Sequence, residues 1–139
     1  MAEVIGIVSG VAGLSTFAFQ ASTGLYEIIT SFQSHQQRVV DLQEENSALN
    51  GVLGSLNRTI ASATDLDLSA LEIPLKRCGL ACEEFKREIQ KISSPSGENR
   101  ATFRGWARLR YMGEDIDGFR RLLAGYKTTI NIAIADANL

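Results

Sequence analysis

The sequence predicts an all-α fold, an antiparallel four-helix bundle with long helices, on three observations. Four segments hold an apolar repeat with alternating three- and four-residue spacing. Short stretches rich in turn formers separate them. No β-type alternation stands out, and only two prolines occur. A seven-residue repeat keeps one stripe of a helix facing its partners, which is the seam of a bundle. At 139 residues the chain is a single domain that can bury a core without metal or disulfide staples. Its 45% hydrophobic and 22% charged content are ordinary for such a domain, and a net charge of −2 argues against a nucleic-acid partner.

The first repeat runs Ile7, Val11, Leu14, Ala18, Ala21, Leu25, Ile28, Phe32. The second runs Val39, Leu42, Asn46, Leu49, Leu53, Leu56, Ile60, Ala63, and Ser34 followed by Gln37 resembles a capping box at its start. Asn46 stands where an apolar residue is expected; a buried Asn in a seam fixes register. Asp65 to Leu68 breaks the pattern and reads as a loop. The third repeat runs Leu71, Leu75, Cys78, Cys82, Phe85, Ile89, Ile92, with Ser69 and Glu72 as a second capping box and Pro74 in the tolerant first turn. Ser93 to Gly97 is the clearest loop. The fourth repeat runs Leu109, Met112, Ile116, Phe119, Leu123, Tyr126, Ile130, Ala133, Ala137. Unbroken from Asn99 to Ala137, that helix would be about 58 Å long and overhang the bundle. We therefore expect the N-terminal module of a longer protein, with the fourth helix leading onward.

Between Val4 and Tyr26 no side chain is charged. The start Met1-Ala2-Glu3 lacks the basic region of a signal peptide. The stretch is long enough to span a bilayer, but Ser9, Ser15, Thr16, Gln20, Ser22 and Thr23 leave it only moderately apolar. It suits burial in protein or, conditionally, in lipid. Gly6, Gly10 and Gly13 lie on one row of this helix, each costing about 1 kcal/mol relative to alanine. Small residues at this spacing permit close helix approach, either within the bundle or between helices in a membrane. Val4, Ile5, Val8, Ala12, Phe17 and Phe19 add apolar surface, so the first turns are expected to be apolar nearly all round.

Arg100, Arg104 and Arg108 repeat at four-residue spacing near Trp106 and Tyr111. Such a row suits anionic headgroups; it also suits a solvated face paired with Glu114, Asp115 and Asp117. Cys78 and Cys82 are expected to be small buried hydrophobes, reduced in a cytosolic setting. With one histidine, His35, and no nucleotide or zinc-protease motif, no catalytic, metal or cofactor site can be assembled, and no enzyme is expected.

The opening Met1-Ala2-Glu3-Val4-Ile5-Gly6-Ile7-Val8-Ser9-Gly10-Val11-Ala12-Gly13-Leu14 resembles that of fungal HeLo-like domains, also described as the fungal N-terminal domain of STAND (NOD-like) proteins. The stretch Leu71 to Phe85, with Pro74, Leu75 and Cys78, is similar too, as is Trp106 with Tyr111 to Leu123. The resemblance implies a fold like the four-helix bundle of the mixed-lineage kinase domain-like pseudokinase. It implies a cell-death effector that moves from cytoplasm to plasma membrane and permeabilises it after oligomerisation, with the N-terminal helix as its membrane-active part. Gly6, Gly10, Gly13, Val4, Ile5, Val8 and Phe17 would then serve insertion and helix association, and Arg100, Arg104 and Arg108 would meet anionic phospholipids. The expected partners are membrane, further copies of the chain, and an upstream NOD-like receptor or downstream domains of the same protein. The competing expectation is a non-lytic adaptor or oligomerisation module.

Overall fold

A computed structural model describes residues 10–31, 36–62, 67–92 and 115–137. They form four α-helices: α1 (Gly10–Ser31), α2 (Gln37–Ser62), α3 (Glu72–Ile92) and α4 (Ile116–Ala137), with a 3-10 turn at Ser69–Leu71 leading into α3. No strand occurs among them. The heptad positions become the core. Ala18, Ala21 and Leu25 of α1 meet Val39, Leu42, Leu49, Leu53 and Leu56 of α2. Leu75, Cys78, Cys82, Phe85 and Ile89 of α3 and Ile116, Phe119, Leu123 and Ile130 of α4 complete the cluster. Every one is at most 4% exposed. Burying each large apolar side chain contributes roughly 1.5–3 kcal/mol, so the seam holds the bundle together.

Helix directions follow from cross-helix contacts. Ser15 meets Asn57, Ser22 meets Asn46 and Thr30 meets Gln43, so α1 and α2 are antiparallel. Phe17 lies over Gly79 and Lys86 over Gly24, so α1 and α3 are parallel. Arg38 reaches Asp115 and Asp117 while Glu45 reaches Lys127, so α2 and α4 are parallel as well. Consecutive helices thus alternate in direction, as an antiparallel bundle requires. Their placement departs from the simplest arrangement, because short connections alone would make consecutive helices neighbours. Instead α1 packs on α3 and α2, α2 packs on α1 and α4, and α2 and α3 share no principal interface. The contact between α3 and α4 is thin, and there the rings of Phe85 and Phe119 stack 3.8 Å apart and 3° from parallel.

Two helix starts differ from expectation. The fourth helix is not unbroken from Asn99. It begins at Ile116, where Asp115 leaves helical geometry and its Oδ1 accepts the Gly118 N–H at 3.0 Å. That carboxylate is an N-cap, and the Arg38 guanidinium on α2 holds it in place at 3.2 Å. The resulting α4 has 22 residues, about 33 Å. At the start of α3 the Ser69–Glu72 capping box does not form. The Ser69 hydroxyl instead donates to Asp67 Oδ1 at 2.7 Å, and the Ser69 N–H joins it at 3.2 Å. Those two bonds hold the Asp67 carboxyl below its ordinary range. The cap expected at Ser34 lies outside the described residues.

Candidate functional site

The expected site centres on α1, which meets its two neighbours differently. Against α3 it runs in heptad register: Gly10 faces Glu72, Phe17 faces Gly79 and Gly24 faces Lys86. Each layer pairs one glycine with one larger side chain. The middle layer is tightest. A Cβ added to the buried Gly79 would come within 2.5 Å of Phe17 Cδ2 and 3.1 Å of Cζ, with Cε2 closer still. The Phe17 ring therefore occupies the space where any other residue would carry its side chain. At the layers above and below, a Cβ on Gly24 would stand 3.3 Å from Lys86 Nζ, and one on Gly10 would stand 4.0 Å from Glu72 Oε1.

Against α2 the interface is a polar ladder. The Ser15 hydroxyl donates to Asn57 Oδ1. Asn46 Nδ2 donates to the Ser22 carbonyl at 3.3 Å and its hydroxyl at 3.0 Å. Asn50 Nδ2 donates to Thr23 Oγ1 at 2.8 Å, and Gln43 Nε2 to Thr30 Oγ1 at 3.1 Å. Ser15, Ser22 and Asn46 are fully buried. Asn46 thus takes the register-setting place expected of it, and Ser15, Ser22, Asn50 and Asn57 complete a pattern the seam analysis missed. Its signal was present: Gln43, Asn46, Asn50 and Asn57 share one stripe of α2, opposite the heptad pairs Ser15–Ser22 and Thr23–Thr30. Phe19 closes this side by lying 3.4 Å from the place of a Cβ on Gly54.

The expected site residues fall into three groups. Gly13 is exposed, with no atom of the described residues within 4 Å of a built Cβ, and Gly10 is half-buried in a loose layer, so neither marks a close approach among the described helices. Phe17 is engaged with Gly79 and is not free surface. Gly6, Val4, Ile5, Val8, Arg100, Arg104 and Arg108 lie outside the described residues. The apolar-all-round reading is corrected over the described turns. The outward face of α1 is Gly13, Thr16 and Gln20, all small or polar, while Phe19 turns inward onto Gly54. Of the acids expected to pair with the arginine row, Asp115 and Asp117 both meet Arg38, and Glu114 lies outside the described residues. No helix among the described residues is long and apolar enough to cross a membrane.

Cys78 and Cys82 are buried free thiols one turn apart on α3. A hydrogen bond with Cys78, and then burial, holds the Cys82 thiol well above its ordinary range, so it stays neutral. Among the described residues no group of three or more His, Cys, Asp and Glu side chains is placed to hold a metal ion. The hollow between α2 and α4, lined by Asp41, Glu44, Glu45, Arg120 and Lys127, is occupied on one side by the 2.7 Å Glu45–Lys127 ion pair.

Residues 2–139 match the family described as the pigment biosynthesis cluster protein PigL N-terminal region, and the chain belongs to that family. No curated protein and no solved structure matches it.

Proposed function

We propose, from the resemblance of the opening residues and the geometry of α1, that the chain is a HeLo-like membrane-targeting cell-death effector domain. In this reading the resting bundle keeps α1 packed away in the cytoplasm. Oligomerisation then frees it to act at the plasma membrane, where the glycine row lets several first helices associate. The observation that carries the reading is Gly13. It lies within α1, where glycine is disfavoured by up to about 1 kcal/mol, and among the described residues no atom within 4 Å of its Cβ position requires it. A benefit outside the resting bundle would account for it. The absence of charge from Val4 to Tyr26 supports the same reading. Because no described helix can span a bilayer alone, α1 would act in the interface or as an assembly, with the residues before Gly10 contributing.

The adaptor reading has its own observation. Ile73 and Leu80 are 63% and 42% exposed and lie a heptad apart on the outer face of α3. With exposed Lys76, Arg77 and Arg87 beside them they suit a partner helix. Dye release from anionic vesicles, with the chain fused to an inducible oligomerisation module, separates the two readings. Leakage on induction, together with relocation and death in a fungal cell expressing the same fusion, is the expected result. Intact vesicles and viable cells with the oligomer formed would leave the adaptor.

A further inference from the structure

We propose that the Phe17–Gly79 contact is a release catch, setting how readily α1 leaves the bundle without loosening the helices behind it. Its purpose rests on the membrane reading above; its existence does not. The large apolar side chains that the N-terminal half of α1 brings to the core, Val11, Leu14 and Phe19, are only partly buried against it. Its fully or nearly buried positions are Ser15, Ala18, Ala21 and Ser22, and the large buried residues Leu25 and Ile29 come later. Hydrogen bonds such as Asn46–Ser22 and Asn50–Thr23 are neutral, and on release each is exchanged for bonds to water, so each resists release with only part of its strength. The ring of Phe17 is the large side chain of this half that sits directly on an α3 glycine, and its seat depends on that one residue having no side chain. α2 and α4 do not share that dependence. They hold one another through the seam, the Glu45–Lys127 pair and the Arg38 clamp on Asp115 and Asp117.

The geometry sets a steric test. In Gly79→Ala the added methyl would occupy the ring's place, and overpacking at that point falls on α1. In Phe17→Val/Gly79→Ala the shorter side chain lacks all three ring atoms that crowd the methyl, Cδ2, Cε2 and Cζ, and α1 should seat again. Amide hydrogen exchange on the wild-type chain and both variants reads this directly. The expected result is exchange about tenfold faster or more across α1 in Gly79→Ala, unchanged protection in α2 and α4, and recovery of most of the protection in the double variant. Equal loss across all helices would overturn the catch, since Gly79 would then be an ordinary core position. Unchanged exchange in Gly79→Ala, or no recovery in the double variant, would overturn it too. If α1 opens selectively while vesicles stay intact, the catch stands and the membrane reading falls.

Discussion

Asn46 is a residue whose environment sets two opposing terms. It is fully buried and donates twice to Ser22, yet its Oδ1 has no hydrogen-bond partner. Truncation in Asn46→Ala strands the Ser22 groups and should cost about 1–3 kcal/mol in urea unfolding. A double-mutant cycle with Ser22→Ala should return a coupling of about 1 kcal/mol; additive losses would show that the bonds set register without contributing stability. Cys82 makes a second residue-scale prediction through pH. Its folded thiol titrates well above the unfolded value, so the native state favours the neutral form. That contribution is fully present below the unfolded thiol range of about 8.5 and is lost as pH rises towards the folded value. Stability should therefore fall above about pH 9, and fall less steeply in Cys82→Ala, even though that variant is weaker at pH 7 for its cavity. A parallel pH profile in both proteins would remove Cys82 as the cause.

At the scale of elements, Asp115→Ala tests where α4 begins. It removes the N-cap and one acceptor of Arg38, and should cost about 1–2 kcal/mol with reduced helicity confined to the start of α4. The error about this helix has a physical source. Leu109 and Met112 continue the apolar spacing of Ile116 and Phe119, so periodicity alone does not mark Ile116 as a helix start. The cap itself was legible: Asp115, Asp117 in the first turn, and Gly118 form an N-terminal signature. The seam was legible for the same reason that start was not. A stripe at 3-4 spacing states that positions such as Leu53, Phe85 and Leu123 are buried, and all three are. It does not state against which helix, so the α1–α3 and α2–α4 pairings stayed hidden. The Phe17–Gly79 layer was hidden more deeply. Glycine enters a hydrophobic pattern as a blank, and its meaning appears only once the ring that fills it is placed opposite. The polar ladder lay between these cases, readable as a stripe on α2 but without a partner until α1 was set antiparallel to it.

For the whole molecule the question is which state each α1 glycine serves, and substitution separates the states. Gly13→Ala should stabilise the resting bundle by up to about 1 kcal/mol, since its Cβ meets nothing among the described residues and helix propensity improves. Gly10→Leu/Gly13→Leu goes further in bulk. Among the described residues the Gly13 side chain would meet nothing and the Gly10 side chain would meet the flexible end of Glu72, so the double variant should fold, stay soluble and melt within a few degrees of wild type. If first helices associate through this row in a membrane, two leucines would hold their backbones apart, and close approach is what small residues provide there. Leakage from anionic vesicles and killing should then be lost from a protein whose resting structure is intact. Had the glycines served the bundle, the same variant would instead melt early from overpacking, and its inactivity would follow from unfolding. Gly79→Ala is the internal standard, because it overpacks at a place where the bundle does need a glycine. A Gly10→Leu/Gly13→Leu protein that melts normally and still permeabilises vesicles would eliminate glycine-mediated assembly, whatever else α1 does at a membrane.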